Sequence, residues 1–357
     1  MNDHNLTAAQ QITPRELMLF TSVFLLALLI SIFVCSIPQA KAKDAKYILL
    51  IETMPVPAVL ESTYWFKEEL KDLGYIEGEN LKLVIINLNG DKEGAEAKIN
   101  ELLLQEQPDL VVTNATLASQ IAYKILQDTK IPIIFFTVGA PVKAGLVQAI
   151  DLPSGKNITG KVKMLPSRIR QTVVTRLLSG LSPKKAIRIG YIYPDYPSAI
   201  GDLQHLTENK SNLEFVPYKI TYRAVPKGMP QMIEDTIKGM TALENQVDYW
   251  WESAGPLGEI NEYTETLLKY SKKPIVYGHR MESVQSGALV SLVVSLEANG
   301  RETAQLADSI LNGKKPGEIA VTPVTSFLLG INLQTAIDLQ IVVPKDILEL
   351  AGDNVYR

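Results

Sequence analysis

Short apolar runs alternate with segments of helical periodicity from residue 46 onward, and this alternation constrains the fold more than any other feature of the sequence. Residues 47–51 form the first apolar run. Phe66, Leu70 and Leu73 follow at the spacing of one helix face. Strands joined by helices in this way run parallel and need helices on both faces of their sheet. The first part of the chain is therefore predicted to be a doubly wound α/β unit, with further strands at 81–85, 110–113 and 131–136.

A second unit of the same kind follows the first. The alternation pauses at 153–155 and restarts after Pro166. The 357 residues are enough for two such lobes. Ligands of open parallel sheets bind beyond the carboxyl ends of the strands, so two facing lobes would share one cleft there. The predicted fold class is α/β, with two doubly wound parallel-sheet lobes and an interdomain cleft; the second-lobe strands are predicted at 186–191, 213–220, 247–251 and 274–277.

Composition excludes several classes of function. The net charge of −4 and the absence of a basic run argue against a nucleic-acid partner. Cys35 is the only cysteine and just three histidines are present, so the sequence predicts no metal site. It also contains no phosphate-binding glycine motif, nucleophile elbow or zinc-protease motif, and residues 182–185 match S-x-x-K only by spelling. The chain is therefore predicted not to be an enzyme, with no catalytic residues and no cofactor.

Residues 1–42 have the features of an export signal. Residues 17–37 are almost wholly apolar, and Ala40 and Ala42 are the small residues that signal peptidase needs. We expect cleavage after Ala42 and a periplasmic mature protein. Two alternatives stay open: the apolar run is long enough to remain as a membrane anchor, and Cys35 could carry a lipid. All three interpretations place the folded part outside the cytoplasm.

Residues that directly follow the predicted strands are the candidates for ligand contact. Thr116 begins a helix, where it could cap that helix or offer its hydroxyl to an anion beside free N–H groups. Glu252 could pair with a ligand amine or face solvent, and His279 could be an ordinary hydrogen-bonded loop residue. The aromatic side chains could be cleft walls or lobe core. The predicted ligand-binding residues are Pro57, Thr116, Val138, Gly139, Ala140, Tyr193, Ser198, Glu252, Ser253, Tyr277 and His279.

Several short segments are weak signals singly but specific as an ordered set. They are Phe66-x3-Leu70-x2-Leu73-Gly74-Tyr75-x2-Gly78, residues 108–112 (PDLVV) with Thr116, residues 131–135 (IPIIF), Pro141-Val142-x-Ala144-Gly145-Leu146-Val147, residues 157–160 (NITG), residues 287–289 (GAL), and Leu311-Asn312-Gly313-x2-Pro316. In this order they resemble the ABC-transporter substrate-binding family that includes tryptophan- and phenylalanine-binding lipoproteins. The resemblance covers nearly all of residues 46–350.

The resemblance implies a type I periplasmic-binding architecture, in which the chain crosses between the lobes three times. It implies a solute-binding protein that captures a small molecule and delivers it to an ABC permease in the inner membrane. A periplasmic sensor that passes ligand state to a membrane signalling partner is the alternative. By analogy, lobe one is 46–161 plus 289–320 and lobe two is 162–288 plus 321–357, with hinges expected near 160–163, 287–290 and 319–322.

Two departures from the family pattern concern the ligand. The family usually has an acidic residue where this chain has Ala140, and it commonly has a Thr-Asp-Asn-like stretch where this chain has residues 252–254. Those acidic and amide groups would hold a ligand amine. We therefore expect a ligand other than a standard free α-amino acid bound in the usual family manner. Thr116 is retained, so an organic acid, an amide or another amino-acid-like molecule with an anionic or carbonyl end fits the sequence.

Overall fold

A computed structural model describes residues 45–181 and 186–357 of the chain. The predicted signal segment 1–42, with its anchor and lipoprotein alternatives, lies outside the described residues, and so does the S-x-x-K tetrapeptide at 182–185. Among the helices that are described, none is long and apolar enough to cross a membrane.

The first lobe is built on a six-stranded sheet in which every strand pairing is parallel. One face packs through Ile48 and Phe136 against two helices, and the other packs through Leu49 and Phe135 against two more. This confirms the predicted doubly wound arrangement. In sheet order the strands are β11 (Thr322–Pro323), β5 (Ile158–Val162), β4 (Ile133–Val138), β3 (Leu110–Asn114), β1 (Lys46–Glu52) and β2 (Leu81–Asn87). The helices are α1 (Pro57–Asp72), α2 (Ala95–Gln105), α3 (Thr116–Leu126) and α9 (Leu296–Leu311), with a short 3₁₀ helix at Pro316–Glu318.

The second lobe is built on a seven-stranded sheet. Its strands are parallel except that β12 runs antiparallel to β10, as the pairing of Val290 with Ile331 shows. In sheet order they are β13 (Val355–Tyr356), β12 (Phe327–Asn332), β10 (Val290–Val294), β9 (Ile275–Tyr277), β8 (Tyr249–Trp251), β6 (Ile187–Pro194) and β7 (Leu213–Ile220). The helices are α4 (Ser167–Leu178), α5 (Pro197–Glu208), α6 (Met229–Leu243), α7 (Asn261–Tyr270), α8 (Met281–Ser286), α10 (Leu333–Asp338) and α11 (Lys345–Ala351).

In the sheet topology, two of the three crossings between the lobes occur later in the chain than the sequence analysis predicted. Strand β10 belongs to the second sheet, and the chain reaches the first lobe only at α9, which packs on α1. Strand β11 pairs with β5 in the first sheet. The crossings are therefore 163–166, Ser295 and 324–326, and the boundaries predicted at 288/289 and 320/321 each fall one strand too early. Periodicity identifies a strand, but it does not say which of two sheets the strand joins.

The three crossings lie side by side. Lys161, just before the first crossing, lies 2.8 Å from Glu302 of α9. Glu302 also accepts hydrogen bonds from the N–H and the hydroxyl of Thr325 in the third crossing, at 2.9 and 2.5 Å. The N–H of Ser295 donates to the carbonyl of Ser326 at 3.0 Å. Any bending between the lobes is thereby confined to one compact region.

Candidate functional site

A cleft of about 760 Å³, its mouth included, lies between the lobes at the carboxyl ends of both sheets. The first lobe lines it with Thr53, Met54, Val56, Ala58, Val59, Ala115, Thr116, Thr137 and Gly139. The first crossing contributes Lys163, Met164 and Leu165. The second lobe contributes Arg170, Tyr196, Ser198, Ala254, Gly255, Pro256, Glu259, Tyr277, His279, Leu292, Val293 and Val294. The lining is mostly apolar with a few polar groups, as is usual for small-molecule sites.

The N-terminus of α3 opens into this cleft. Thr116 is the first residue of the helix, and Ala115 before it has no side chain with which to cap it. The hydroxyl of Thr53 accepts the hydrogen bond from the Ala118 N–H at 3.0 Å instead. The hydroxyl of Thr116 and the N–H groups of Thr116 and Leu117 have no protein partner among the described residues. Thr53 thus caps the helix, and the Thr116 hydroxyl does not fill the capping role considered above and is available to accept or donate a hydrogen bond in the cleft.

Glu259 is the one carboxylate among the described lining residues of the cleft. Its Oε1 lies 2.8 Å from Lys163 Nζ and 3.3 Å from His279 Nε2. Its Oε2 is buried and has no hydrogen-bond partner in the part of the chain that the structure describes. Burial raises the pKa of Glu259, but the neighbouring Lys163 and His279 outweigh burial and hold that pKa well below its usual value. Glu259 is therefore an ionised, mostly buried carboxylate with one oxygen left to accept a hydrogen bond.

The local chain explains how Glu259 is positioned. Its N–H donates to the carbonyl of Gly255 at 3.2 Å in a tight turn before α7. Gly258 lies so close to the Ser253 carbonyl that a Cβ would come within 1.9 Å of that oxygen. A side chain at 258 would therefore displace the turn that carries the carboxylate.

A buried ion pair lies on the second-lobe side of the cleft, where Arg170 is part of the lining. Arg170 Nη2 lies 2.5 Å from Asp202 Oδ1, and both side chains are buried. The other oxygen of Asp202 accepts from the Tyr191 hydroxyl at 2.9 Å, and that hydroxyl accepts from the Ala254 N–H at 3.2 Å. This chain of bonds ties α4 and α5 to the 254–256 segment of the cleft wall.

Five of the predicted ligand-binding residues line the cleft, namely Thr116, Gly139, Ser198, Tyr277 and His279. The others do not. Val138 is core, and Ala140 is buried where a Cβ on Gly201 would lie 3.1 Å from its own Cβ. Tyr193 packs on Tyr191 with ring centroids 5.8 Å apart. Pro57, in the first turn of α1, is exposed and faces an adjoining groove, and Ser253 is fully buried.

Glu252 is the most consequential of these corrections. Its side chain is fully buried and lies outside the cleft lining. Thr264 donates to its Oε1 at 2.6 Å, while Ser283 and the N–H of His279 donate to its Oε2 at 2.7 and 2.8 Å. Its oxygens are therefore engaged by the protein, and Glu252 joins α7, α8 and the 278–280 loop instead of binding a ligand amine or facing solvent.

The sequence reasoning missed Glu259, Lys163 and Arg170. Glu259 lies in a turn before α7, which begins at Asn261, and neither strand ends nor helix periodicity single out such a position. Lys163 is part of a crossing, and crossings have no periodicity. A glutamate in the Gly-Pro-rich stretch 255–259 was the available signal, since such a stretch favours a turn.

Comparison with known proteins agrees with this geometry. A family model described as ABC transporter substrate binding protein matches residues 48–355. The tyrosine-binding protein of Clostridioides difficile (strain R20291) is 29% identical over 322 residues, which are 89% of this chain and 86% of that protein. The solved structure of an ABC domain from Streptococcus pneumoniae in complex with L-Trp has a TM-score of 0.70 at 22% identity, and covers 88% of this chain and 100% of that one. A conserved domain protein from Vibrio cholerae O1 has a TM-score of 0.71 at 23% identity, with the same coverage.

These matches confirm the resemblance drawn from the ordered segments, and with it the prediction of a binding protein rather than an enzyme. The family match spans most of the chain and both lobes. The chain belongs to the family of ABC transporter substrate-binding proteins.

Proposed function

We propose that this protein captures a zwitterionic α-amino acid with a large, apolar or aromatic side chain in the interlobe cleft and delivers it to an ABC permease. The observation that carries the proposal is that Glu259, a residue of the cleft lining, has a buried Oε2 with no hydrogen-bond partner among the described residues. Buried polar atoms in native proteins nearly always have a partner, so this oxygen calls for a donor from a ligand.

An ammonium group is the donor that fits Glu259 best. The carboxylate is ionised, and an ionised acceptor forms its strongest hydrogen bonds with a cationic donor. Lys163 already neutralises part of the charge through Oε1, which leaves Oε2 for a single N–H group. A ligand amine placed there would avoid the large cost of burying an unpaired cation.

A carboxylate fits the opposite side of the cleft. The free N–H groups at the start of α3 and the unpartnered hydroxyl of Thr116 are all donors. The helix dipole adds a partial positive charge at the same place. The two ends of an α-amino acid would thus be held by different lobes, Thr116 from the first and Glu259 from the second.

The remaining wall favours a large side chain. Met54, Val59, Met164, Tyr196 and Val293 are among the apolar residues that line the cleft. Apolar and aromatic walls of this kind favour a ligand with an apolar or aromatic side chain. The names of the relatives give independent support, since one is a tyrosine-binding protein and another was solved with L-Trp.

This proposal replaces the expectation that was drawn from Ala140. That expectation considered Glu252 as the only nearby carboxylate that could take over the recognition of the amine. Glu259 does so from a different element, and Ala140 instead makes room for the close packing of Gly201 between the lobes.

Delivery to a permease and a periplasmic location are the finer parts of the proposal. The family match supports the partnership with an ABC importer. The apolar run at 17–37 and the Ala40-x-Ala42 site support export, with a mature N-terminus at Lys43. Sequencing the N-terminus of exported protein tests this, and retention of residues 1–42 would instead favour the anchored form.

Calorimetry with a matched ligand series tests the binding proposal without altering the protein. L-Tyrosine and L-tryptophan should bind in the micromolar range or tighter. Tryptamine, which lacks the carboxylate, and indole-3-propionic acid, which lacks the amine, should each bind at least tenfold more weakly than L-tryptophan. Equal binding of indole-3-propionic acid and L-tryptophan would overturn the role given to Glu259, and no binding of either amino acid would overturn the ligand class.

A further inference from the structure

The two lobes also meet outside the cleft, at its rim. The loop that contains Gly90 and Lys92 follows β2 of the first lobe. It contacts the segment around Tyr222, which follows β7 of the second lobe. None of Gly90, Lys92 and Tyr222 lines the cleft.

Gly90 permits this contact because it has no side chain. A Cβ at this position would lie 2.3 Å from the hydroxyl oxygen of Tyr222 and 3.5 Å from the Cβ of Ala224. The first of these distances is far inside van der Waals contact. With a side chain at 90, either the loop or the Tyr222 ring would have to shift.

The second-lobe side of the contact is an aromatic pair. The rings of Tyr196 and Tyr222 have centroids 4.6 Å apart. Lys92 Nζ of the first lobe lies 5.8 and 5.7 Å from these two centroids, within the range of a cation–π interaction. Asp195 holds the pair together, since it precedes Tyr196 and accepts the N–H of Tyr222 at 2.5 Å.

Each side of the contact is tied to a residue of the cleft wall. The N–H of Gly90 donates to the carbonyl of Thr53 at 2.8 Å, and Thr53 lines the cleft and caps α3. The Tyr222 ring packs at a tilt of 53° against Tyr196, which lines the cleft from the opposite lobe. Thr53 and Tyr196 therefore each belong to the cleft wall and also contact a residue of the rim contact.

We infer that the Gly90–Lys92 loop and the Tyr196–Tyr222 pair form a latch that holds the two lobes together over a bound ligand, so that Gly90, Lys92 and Tyr222, which do not line the cleft, contribute to the affinity. The inference rests on the proposed function for its ligand. It does not depend on how that ligand is recognised by Glu259 or Thr116.

A double-mutant cycle in calorimetry tests the steric part of the latch. Gly90→Ala should weaken the binding of L-tyrosine at least tenfold, because the added methyl group meets the Tyr222 hydroxyl. In a Tyr222→Phe background the same change should weaken binding less than threefold, because the oxygen is gone. An equal loss in both backgrounds would overturn the latch.

Backbone strain needs a matched control, because Gly90 has a positive φ of 70°. Gly78 has a φ of 85°, lies in the same lobe, and has nothing within 4 Å of a Cβ. Gly78→Ala should lower the melting temperature about as Gly90→Ala does, yet leave the affinity unchanged. If Gly78→Ala weakens binding equally, strain explains the effect and the latch is wrong.

The cation–π part is tested by Lys92→Gln, which should weaken binding about two- to fivefold. Lys130→Gln is the control, since Lys130 is exposed in the same lobe and away from the cleft. Equal affinities for the two variants would remove Lys92 from the latch.

A cross-linking experiment separates the latch from the proposed function because it needs no ligand. The Cβ atoms at 90 and 224 are 3.5 Å apart, a distance that a disulfide can span. Gly90→Cys with Ala224→Cys, in a Cys35→Ser and Tyr222→Phe background, should form a disulfide on mild oxidation, detected by peptide mass mapping. Gly78→Cys with Ala224→Cys should not. Added L-tyrosine should raise the disulfide yield.

The outcomes distinguish the two ideas. If wild-type protein fails to bind L-tyrosine while the 90–224 disulfide still forms, the proposed ligand is wrong and the latch stands. If L-tyrosine binds and neither the disulfide nor the Gly90→Ala effect appears, the latch is wrong and the proposed function stands.

Discussion

Replacing Glu259 with glutamine should weaken amino-acid binding far more than it lowers stability. The amide keeps the shape of the side chain and can still accept a hydrogen bond from Lys163. It removes the charge that the ligand ammonium would meet at Oε2. A hydrogen bond to a charged group contributes about 1.5–3 kcal/mol, so we expect Kd for L-tyrosine to rise about ten- to 150-fold.

The same substitution should lower the free energy of unfolding by about 1–3 kcal/mol. Removing one partner of a buried ion pair costs about 3–5 kcal/mol when the other charge is left stranded. Here the Lys163 side chain is 17% exposed and would still contact the amide oxygen of the glutamine. The expected loss is therefore the smaller one, about 1–3 kcal/mol.

The pH dependence follows from the direction of the pKa shift. The folded-state pKa of Glu259 lies below its unfolded value of 4.5, so its ionisation stabilises the fold above that pH. This contribution is lost as the pH falls from 4.5 through the folded-state pKa. The stability difference between wild type and Glu259→Gln should therefore shrink as the pH falls below 4.5.

Calorimetry and thermal unfolding of the same preparations measure both effects. Glu265→Gln is the matched control, because Glu265 is exposed on α7 and outside the cleft lining. It should leave both Kd and stability unchanged. The reasoning would be refuted by a Glu259→Gln protein that binds L-tyrosine within threefold of wild type, since the ammonium would then lie elsewhere.

Three further predictions concern other parts of the molecule. Thr116→Val should weaken binding by about 1–2 kcal/mol without lowering the melting temperature, because Thr53 caps α3; a loss of stability at unchanged affinity would show that Thr116 is structural. Glu252→Gln should lower the free energy of unfolding by about 1–3 kcal/mol and leave Kd unchanged, as measured by denaturant titration and calorimetry, because Glu252 binds only protein donors; a large loss of affinity would return it to the site. Small-angle scattering should show a smaller radius of gyration with L-tyrosine bound, through hinge bending in the three crossings, and an unchanged profile at saturation would contradict it.

The fold was predictable because its signals are local. Apolar runs and helix faces in strict alternation leave few arrangements other than a parallel sheet covered on both sides. The crossings were harder to place, because β10 is an apolar strand that could belong to either sheet. Its sheet is decided by contacts with β9 and β12, which are not encoded in its own periodicity.

The site was predictable only where it follows a strand directly. Thr116, Gly139 and His279 lie at strand ends and were found by that rule. Glu259 lies in a turn that folds back into the cleft, and Lys163 reaches it from a crossing far away in sequence. The strand-end rule also selected Glu252, but three donors of its own lobe bind the Glu252 carboxylate inside the protein. Which of two glutamates faces a ligand is a question of tertiary hydrogen bonding.

The pairing of charges inside the cleft also bears on how fast a solute is captured. The cationic groups Lys163 and Arg170 of the described lining each lie within 2.8 Å of a carboxylate. Paired charges produce little field beyond their immediate surroundings, and electrostatic steering needs a field that extends over roughly a Debye length, about 8 Å at physiological salt. A zwitterion has no net charge on which such a field could act. For the zwitterionic ligand proposed above, we therefore expect the rate at which it enters the cleft to change little with the ionic strength of the surrounding medium.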